Sequence, residues 1–325
     1  MRSVFIETLI ELAQKDERIL LLTADLGYTV MEPFAQRFPK RFFNVGVAEQ
    51  NMVGMATGLA EAGFIPFLYS INNFASIRPY EFIRNGPILH QLPVRIVGVG
   101  SGFDYGSAGI THYGLEDIGL MRLQKGITVV VPADRAQAKT ALQKTWDLSG
   151  PVYYRIGKGD KNAIAGLDGK FEIGGIQKIC DGNDFIFISM GSISREAVSA
   201  ADQLAQKGIF GAVVVISSFN PSPVNELAGV LRQYPLAVTV EDHYVTGGVG
   251  YFVAEVVAEN NISCRVVRCG VDTFAPEVTG SRKFMNDLFG ISASKLVEVV
   301  SRYFSKNLLQ ARQLDREEEK EASIG

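Results

Sequence analysis

Glu49 is the residue of this sequence whose setting most favours acid–base chemistry. It lies in the string VGVAEQN at residues 45–51, where a short strand is expected to run through a glycine turn into a helix. That helix is dense in Gly, Ala and Met, and Gly54 and Gly58 are spaced so that another backbone can approach closely. A carboxyl group in an apolar site has a raised pKa and can therefore take up and release a proton near neutral pH. The alternative is a first-turn carboxylate that only complements the helix dipole.

A second candidate, His112, lies in a glycine-rich segment at residues 98–114. The segment follows the predicted strand Val94–Val99, and open α/β sheets bind ligands at the carboxyl ends of their strands. Glycine at this density indicates a loop with unusual backbone angles or a close approach to a ligand. The segment is therefore a candidate ligand-binding loop. Apart from any such role, His112 within it would be a loop histidine that is hydrogen-bonded only to its neighbours.

Short apolar runs that alternate with segments of helical length must position these residues. Runs rich in Val and Ile indicate parallel strands buried on both faces, and their alternation with helices predicts the α/β class with open, mostly parallel sheets. The predicted strands are Ile19–Ala24, Phe64–Tyr69, Val94–Val99, Ile127–Val131, Val152–Arg155, Phe185–Met190, Ala212–Ser217, Ala237–Glu241 and Cys264–Cys269. The predicted helices cover about residues 48–62, 71–84, 134–146, 194–207, 222–232, 249–259 and 294–304.

A break in this alternation divides the chain into two domains. The stretch after Arg155 is rich in glycine and charge, and the sequence stays polar and turn-rich to about residue 183. We therefore predict a first domain at residues 1–165, a linker at 166–183 and a second domain at 184–310. The tail at 311–325 is charged and has no apolar period, which indicates a solvated or disordered segment.

The composition excludes several classes of function. The formal net charge is −3 and no basic cluster stands out, so we expect no nucleic-acid partner. No apolar run reaches the roughly 20 residues that span a bilayer, and Glu7 and Glu11 come too early for a signal peptide. Three cysteines, an odd number, are typical of reduced thiols. These features predict a cytoplasmic protein with no membrane partner.

Three strings together resemble the transketolase family: VGVAEQN at 45–51, GITHYGLEDIGLMR at 109–122 and VVVPAD at 129–134. The resemblance runs from residue 2 to about residue 305 and covers the pyrimidine-binding and C-terminal domains of that family. It implies a thiamine-diphosphate enzyme in which Glu49 bonds to N1′ of the aminopyrimidine, promotes its imino form and so activates the cofactor. It also implies that His112 faces the substrate.

The resemblance implies further residues around the cofactor. Phe74 is the best match for an aromatic residue that stacks on the aminopyrimidine, and plain core packing is the alternative. Asp25 and Leu26 match a loop beside the thiazolium, and Ile71 is expected at the same pocket. Arg78 and Arg84 are the nearby cations, for which ion pairing at the surface is the alternative to ligand binding.

The expected substrate residues follow from the same resemblance. Arg155 matches an arginine that holds the acceptor's phosphate or carboxylate, since a guanidinium suits an oxyanion; a salt bridge at a strand end is the alternative. Thr29 and Arg2 are also expected to bind substrate. Two positions depart from the family: Ala108 replaces an Asp, and Gly100 replaces a phosphate-contacting His. The substrate is therefore unphosphorylated, or other residues bind its phosphate.

One expected motif is missing. The family holds a divalent metal and the diphosphate through Gly-Asp-Gly followed by Asn, and this sequence contains no Gly-Asp-Gly. The resemblance therefore implies a partner subunit that supplies the Mg²⁺ ligands, in an α2β2 assembly. We expect the C-terminal subunit of a split transketolase that transfers a two-carbon ketol unit between a sugar ketose and an aldehyde. The alternatives are a deoxyxylulose-phosphate-synthase-like ligation, a 2-oxo-acid dehydrogenase β subunit and a non-catalytic regulatory subunit.

Overall fold

Buried runs of Val, Ile and Leu form the strands that organise the molecule. The computed structural model describes residues 1–159, 163–275 and 277–305. The strands, in chain order, are β1 (Ile19–Thr23), β2 (Phe42–Asn44), β3 (Ile65–Ile71), β4 (Arg95–Val99), β5 (Thr128–Val130), β6 (Val152–Ile156), β7 (Ile176–Cys180), β8 (Phe185–Met190), β9 (Gly211–Ile216), β10 (Ser218–Phe219), β11 (Leu236–Tyr244) and β12 (Arg265–Val271).

Helices cover these strands on both faces. Over the first 159 residues they are α1 (Arg2–Ala13), α2 (Glu32–Arg37), α3 (Glu49–Glu61), α4 (Asn72–Ser76), α5 (Tyr80–Ile83), α6 (Asp117–Leu123) and α7 (Arg135–Thr145). Beyond residue 163 they are α8 (Ser194–Ala205), α9 (Val224–Leu231), α10 (Val249–Glu259), α11 (Arg282–Leu288) and α12 (293–305). Within these described ranges, no helix combines the length and the apolar character that a membrane crossing requires.

The strands assemble into two sheets, each parallel except at one edge. The first has the order β10-β5-β6-β4-β3-β1-β2 and the second has the order β12-β11-β8-β9-β7. The antiparallel pairs are β10 with β5 and β7 with β9. Central strands such as β3, β4, β8 and β9 are buried along their whole length because helices cover both faces. The predicted α/β class with two open, mostly parallel sheets is confirmed.

The segment after β3 departs from the single helix predicted at residues 71–84. Ile71 ends the strand, α4 then spans only five residues, and Pro79 separates it from α5. A proline lacks the amide N–H and disfavours helical angles in the residue before it, so the helix stops there. The result is a broken, compact turn at the carboxyl edge of the first sheet.

The segment predicted as a linker at residues 166–183 is also different. Ile176–Cys180 forms β7, which pairs with β9 as an edge strand of the second sheet. Leu167 and Phe171 are buried, so the segment is packed against the domains and does not hang between them. Its polar composition is that of a half-exposed edge strand and tight turns. The predicted charged tail at 311–325 lies outside the described residues, as do residues 306–310.

The two sheets are joined by a buried guanidinium. Arg155, in β6, pairs with Asp117 at the start of α6 (Nε to Oδ2, 3.0 Å) and with Asp242 in β11 (Nη1 to Oδ1, 2.6 Å). Its remaining Nη2 donates to the carbonyls of Gly114 and Asp242. Burial lowers the pKa of Arg155, but the two carboxylates more than reverse this, so its pKa is raised. The strand β10 makes a second connection, since it leaves the second domain to extend the first sheet.

Replacing Arg155 by Met removes the counter-charge of the buried Asp117 and one of the two cations paired with the buried Asp242, the other being Arg282. We expect Arg155→Met to lower the free energy of unfolding by about 3–5 kcal/mol, measured by chemical denaturation. The matched control is Lys139→Met, which removes the exposed pair between Lys139 and Glu11 and is expected to cost no more than about 1 kcal/mol. Equal effects of the two substitutions would contradict the role given to Arg155.

Candidate active site

Glu49 begins α3 at the carboxyl edge of the first sheet. The chain turns into this helix through Gly46, which has φ +72°, and Glu49 is the first helical residue. Its carboxylate is 0 % exposed. Ser70, near the end of β3, donates its hydroxyl to Oε1 at 3.0 Å, and Arg78 forms an ion pair with Oε2. The carboxylate is therefore buried as expected, but its setting includes a cation and is not purely apolar.

Two aromatic rings lie beside this ion pair. The guanidinium carbon of Arg78 lies 4.4 Å from the ring centroid of Phe74, a residue of α4. The Phe74 ring in turn meets the His112 imidazole edge to face, with 5.2 Å between centroids. His112 Nδ1 lies 2.9 Å from the hydroxyl of Thr111. Glu49, Phe74 and His112, which the sequence singled out separately, thus belong to one continuous set of contacts.

The contacts continue from His112 to a cationic patch. The Tyr105 ring lies 6.4 Å from the imidazole, and Lys158 Nζ lies 4.4 Å above the Tyr105 ring. Burial raises the pKa of Tyr105, and the nearby positive charge of Arg2 lowers it in part. Arg2 has the same opposing effect on the buried Tyr69. Among the described residues, Arg2 Nε and the Tyr69 hydroxyl are buried without a hydrogen-bond partner. This end of the site therefore holds two cations and unused hydrogen-bonding capacity.

Gly100 has a structural reason to lack a side chain. Its φ is +92°, and a Cβ there would lie 2.2 Å from a carbon of the Tyr105 ring. Tyr105 thus fills the space beside Gly100, the position at which the resemblance predicted a departure. Ala108 is exposed in a short 3₁₀ turn and contributes no polar group.

Arg155 does not belong to this site. Its side chain is fully buried, and its ion pairs and hydrogen bonds are made within the protein, so the prediction that it binds an anionic acceptor is wrong. The salt-bridge alternative is the correct one. Lys158, three residues later, is exposed beside Tyr105 and was missed because its glycine-rich surroundings resembled a linker. The signal that would have found it is a cation directly beyond the carboxyl end of a parallel strand.

The loop after β1 is ordered by its own hydrogen bonds. Asp25 has φ +56° and accepts hydrogen bonds from Asn44 and from the Tyr28 hydroxyl, at 3.0 and 2.9 Å. These bonds lower the pKa of the Asp25 carboxyl. The Thr29 amide donates to Glu32, and the Leu26 carbonyl accepts from Thr23. Their predicted roles with cofactor and substrate stay predictions, as does that of Ile71, which is buried at the end of β3.

The described residues fit one half of the expected cofactor. A buried carboxylate beside an aromatic ring suits a planar group that carries N–H donors. The Arg78 guanidinium is such a group, and it contacts both the Glu49 carboxylate and the Phe74 ring. No cluster of three or more His, Cys, Asp or Glu residues able to hold a metal occurs in the part of the chain that the structure describes. The described residues thus offer a buried carboxylate and an aromatic face that suit a planar group with N–H donors.

The helix that begins at Glu49 has an uncovered face. At Gly54 and Gly58 an added Cβ would meet nothing within 4 Å. Apolar side chains lie exposed on the same helix or close before it: Met55 (38 %), Phe43 (38 %) and Val47 (71 %). Phe43, Met55, Gly58 and Leu59 line a shallow cavity of about 330 Å³. Small residues flanked by exposed apolar groups are suited to close contact with another chain.

Two family descriptions match the two halves of this fold. Residues 1–162 match the transketolase pyrimidine binding domain, and residues 174–296 match the transketolase C-terminal domain.

Individual relatives match along most of their length. The chain is 39 % identical to a putative transketolase C-terminal section of Methanocaldococcus jannaschii, over 84 % of this chain and 86 % of that protein. It is 34 % identical to a 6-deoxy-6-sulfo-D-fructose transketolase subunit of a Clostridium species, over 91 % and 92 %. A solved structure described as a split gene transketolase, inactive beta4 tetramer, superposes with a TM-score of 0.83 at 34 % identity, covering 93 % of this chain and 97 % of that one.

Proposed function

The chain belongs to the transketolase family, and from this membership we propose that it is the C-terminal subunit of a split, thiamine-diphosphate-dependent transketolase. With its partner it transfers a two-carbon ketol unit from a ketose to an aldehyde. The observation that carries the proposal is the series of contacts that runs from Glu49 through Arg78 and Phe74 to His112 at the carboxyl edge of the first sheet. The relatives described above support transfer over the ligase, dehydrogenase and regulatory alternatives, because their names specify transketolases.

Each of the three residues has a role that its position supports. Glu49 accepts a hydrogen bond at N1′ of the aminopyrimidine and exchanges a proton there, while Ser70 orients its carboxylate. Phe74 packs against the aminopyrimidine ring. His112, held by Thr111 and Phe74, presents its free ring nitrogen to a substrate oxygen. When bound, thiamine diphosphate supplies the carbon nucleophile that carries the two-carbon unit.

The second half of the cofactor site comes from another chain. We assign the diphosphate and Mg²⁺ ligands to an N-terminal subunit that carries Gly-Asp-Gly, since neither the motif nor a metal cluster is found in the described part of this chain. The uncovered face of α3 is a suitable contact surface, because the same helix presents Glu49. The assembly we propose is α2β2. A relative described as a split gene transketolase, inactive beta4 tetramer, supports the need for a second kind of subunit.

Lys158, Arg2 and Tyr105 are suited to the anionic end of the substrate. Tyr105 lies next to His112, Lys158 lies over the Tyr105 ring, and Arg2 is near Tyr105. The carboxylate of Asp104, adjacent to Tyr105 in the chain, is paired with Arg282 at 2.9 Å. A relative is named for a 6-deoxy-6-sulfo sugar, in which the sulfonate lies at the opposite end from the reacting carbonyl. The proposed substrates are therefore sugars with a terminal phosphate or sulfonate, bound by residues other than Arg155.

Removing the Lys158 charge should weaken the binding of charged sugars and leave the binding of neutral sugars nearly unchanged. We expect Lys158→Met to raise KM for a phosphorylated or sulfonated ketose by roughly 10–100-fold, the effect of one lost charged hydrogen bond. The KM of an uncharged ketose of the same length should change little. Steady-state kinetics of the two-subunit enzyme tests this, with Lys139→Met as the surface control. Equal losses for charged and uncharged sugars would contradict an anion-binding role.

Glu49→Gln should abolish cofactor activation without unfolding the chain. An amide can hydrogen-bond but cannot exchange the proton, so we expect exchange of the thiazolium C2 proton in the two-subunit enzyme to slow by roughly 10²–10⁴-fold. The near-isosteric change should alter the free energy of unfolding by no more than about 1 kcal/mol. A helix-dipole role predicts the reverse, with lower stability and normal exchange. Wild-type exchange in the variant would therefore rule out the role assigned to Glu49.

A further inference from the structure

Arg78 occupies both groups that the proposed function assigns to the aminopyrimidine ring. Its guanidinium forms the ion pair with Oε2 of Glu49, and the same planar group lies 4.4 Å from the centroid of the Phe74 ring. The carboxylate is 0 % exposed, and Ser70 is its other hydrogen-bond donor among the described residues. The Arg78 side chain therefore contacts the Glu49 carboxylate and the Phe74 ring at the same time.

A guanidinium and a protonated aminopyrimidine have the same recognition chemistry. Both are flat, both carry adjacent N–H donors that suit a carboxylate, and both stack on an aromatic ring. A site built for one therefore accepts the other. They cannot be bound together, because Oε2 and the adjacent face of the Phe74 ring serve only one planar partner at a time.

The position of Arg78 allows it to leave. It follows α4 in the short turn before Pro79, and its side chain is 39 % exposed, whereas that of Glu49 is 0 % exposed. Ile77 beside it is also exposed. The Arg78 guanidinium can therefore rotate into solvent, whereas the Glu49 carboxylate stays buried. A buried carboxylate that loses its counter-charge is strongly disfavoured, so another cationic donor must replace the guanidinium.

We propose that Arg78 stands in for the aminopyrimidine in the free subunit and is displaced when the cofactor enters with the partner. This inference rests on the proposed function. Arg78 keeps the empty subsite charge-balanced and closed to other planar cations. The cofactor must compete with it, so its apparent affinity is reduced by the fraction of molecules in which Arg78 occupies the subsite.

The test is cofactor binding to the assembled two-subunit enzyme, measured by calorimetry with thiamine diphosphate and Mg²⁺. We expect Arg78→Met to tighten the apparent Kd by about tenfold or more, because nothing has to be displaced. Arg78→Lys, which keeps the charge and loses the planar fork, should fall between wild type and Arg78→Met. Arg84→Met is the matched control, since Arg84 is an exposed arginine six residues further on whose side chain, among the residues that the structure describes, hydrogen-bonds to its neighbour Asn85. It should bind like wild type.

Thermal melting of the isolated chain provides a second measurement. Arg78→Met should melt at a lower temperature than wild type because Glu49 loses its counter-charge. The double variant Arg78→Met with Glu49→Gln should recover most of that loss. If Arg78→Met is too unstable to assemble, the Arg78→Lys binding measurement decides, and a wild-type Kd or a weaker one would overturn the proposal.

The remaining outcomes distinguish failure of the inference about Arg78 from failure of the proposed function. Weaker cofactor binding by Arg78→Met would overturn the inference, because Arg78 would then be a permanent ligand. An unchanged Kd in Arg78→Met, with Glu49→Gln weakening the binding, would also overturn it and leave the proposed function standing. If neither Arg78→Met nor Glu49→Gln alters cofactor binding, the aminopyrimidine subsite is not at Glu49 and the proposed function fails as well.

Discussion

The buried guanidinium of Arg155 is the interaction on which the geometry of the candidate site depends. It binds Asp117 of the first domain and Asp242 of the second, and it also donates a hydrogen bond to the Gly114 carbonyl at the end of the glycine-rich loop. The loop that carries Tyr105 and His112 is therefore held between the two domains. Arg282, from the second domain, extends the connection to Asp104 in the same loop. The second domain thus helps to fix the glycine-rich loop of the candidate site.

The sequence predicted the parts of this molecule that are set by local pattern. The Val- and Ile-rich runs became the central strands, and Glu49, Phe74 and His112 were recognisable because each lies in a short characteristic string. Arg155 was misassigned because a strand-end arginine looks the same in sequence whether it meets solvent or a second domain. Its partner Asp242 is 87 positions away. Strand β7 was missed for a similar reason, since a half-exposed edge strand has the composition of a linker.

The candidate site is complete on one side only. Glu49 and Phe74 offer an acceptor and an aromatic face, while Lys158 and Arg2 offer charge at the far end, and no metal cluster accompanies them in the described residues. The uncovered face of α3, with Gly54 and Gly58 open to close approach, begins at the Glu49 carboxylate itself. In the proposed function, contact with a second chain therefore also completes the site, and Arg78 balances the charge of Glu49 until that contact forms.

The central claim is that this chain holds only the aminopyrimidine side of a site shared with a partner. Calorimetric titration of thiamine diphosphate and Mg²⁺ tests it most directly, first with the purified chain and then with the chain mixed with the subunit that carries Gly-Asp-Gly. We expect weak or undetectable binding to the chain alone and tight binding, lost on removal of Mg²⁺, to the mixture. Tight, Mg²⁺-dependent binding by the chain alone would contradict the account.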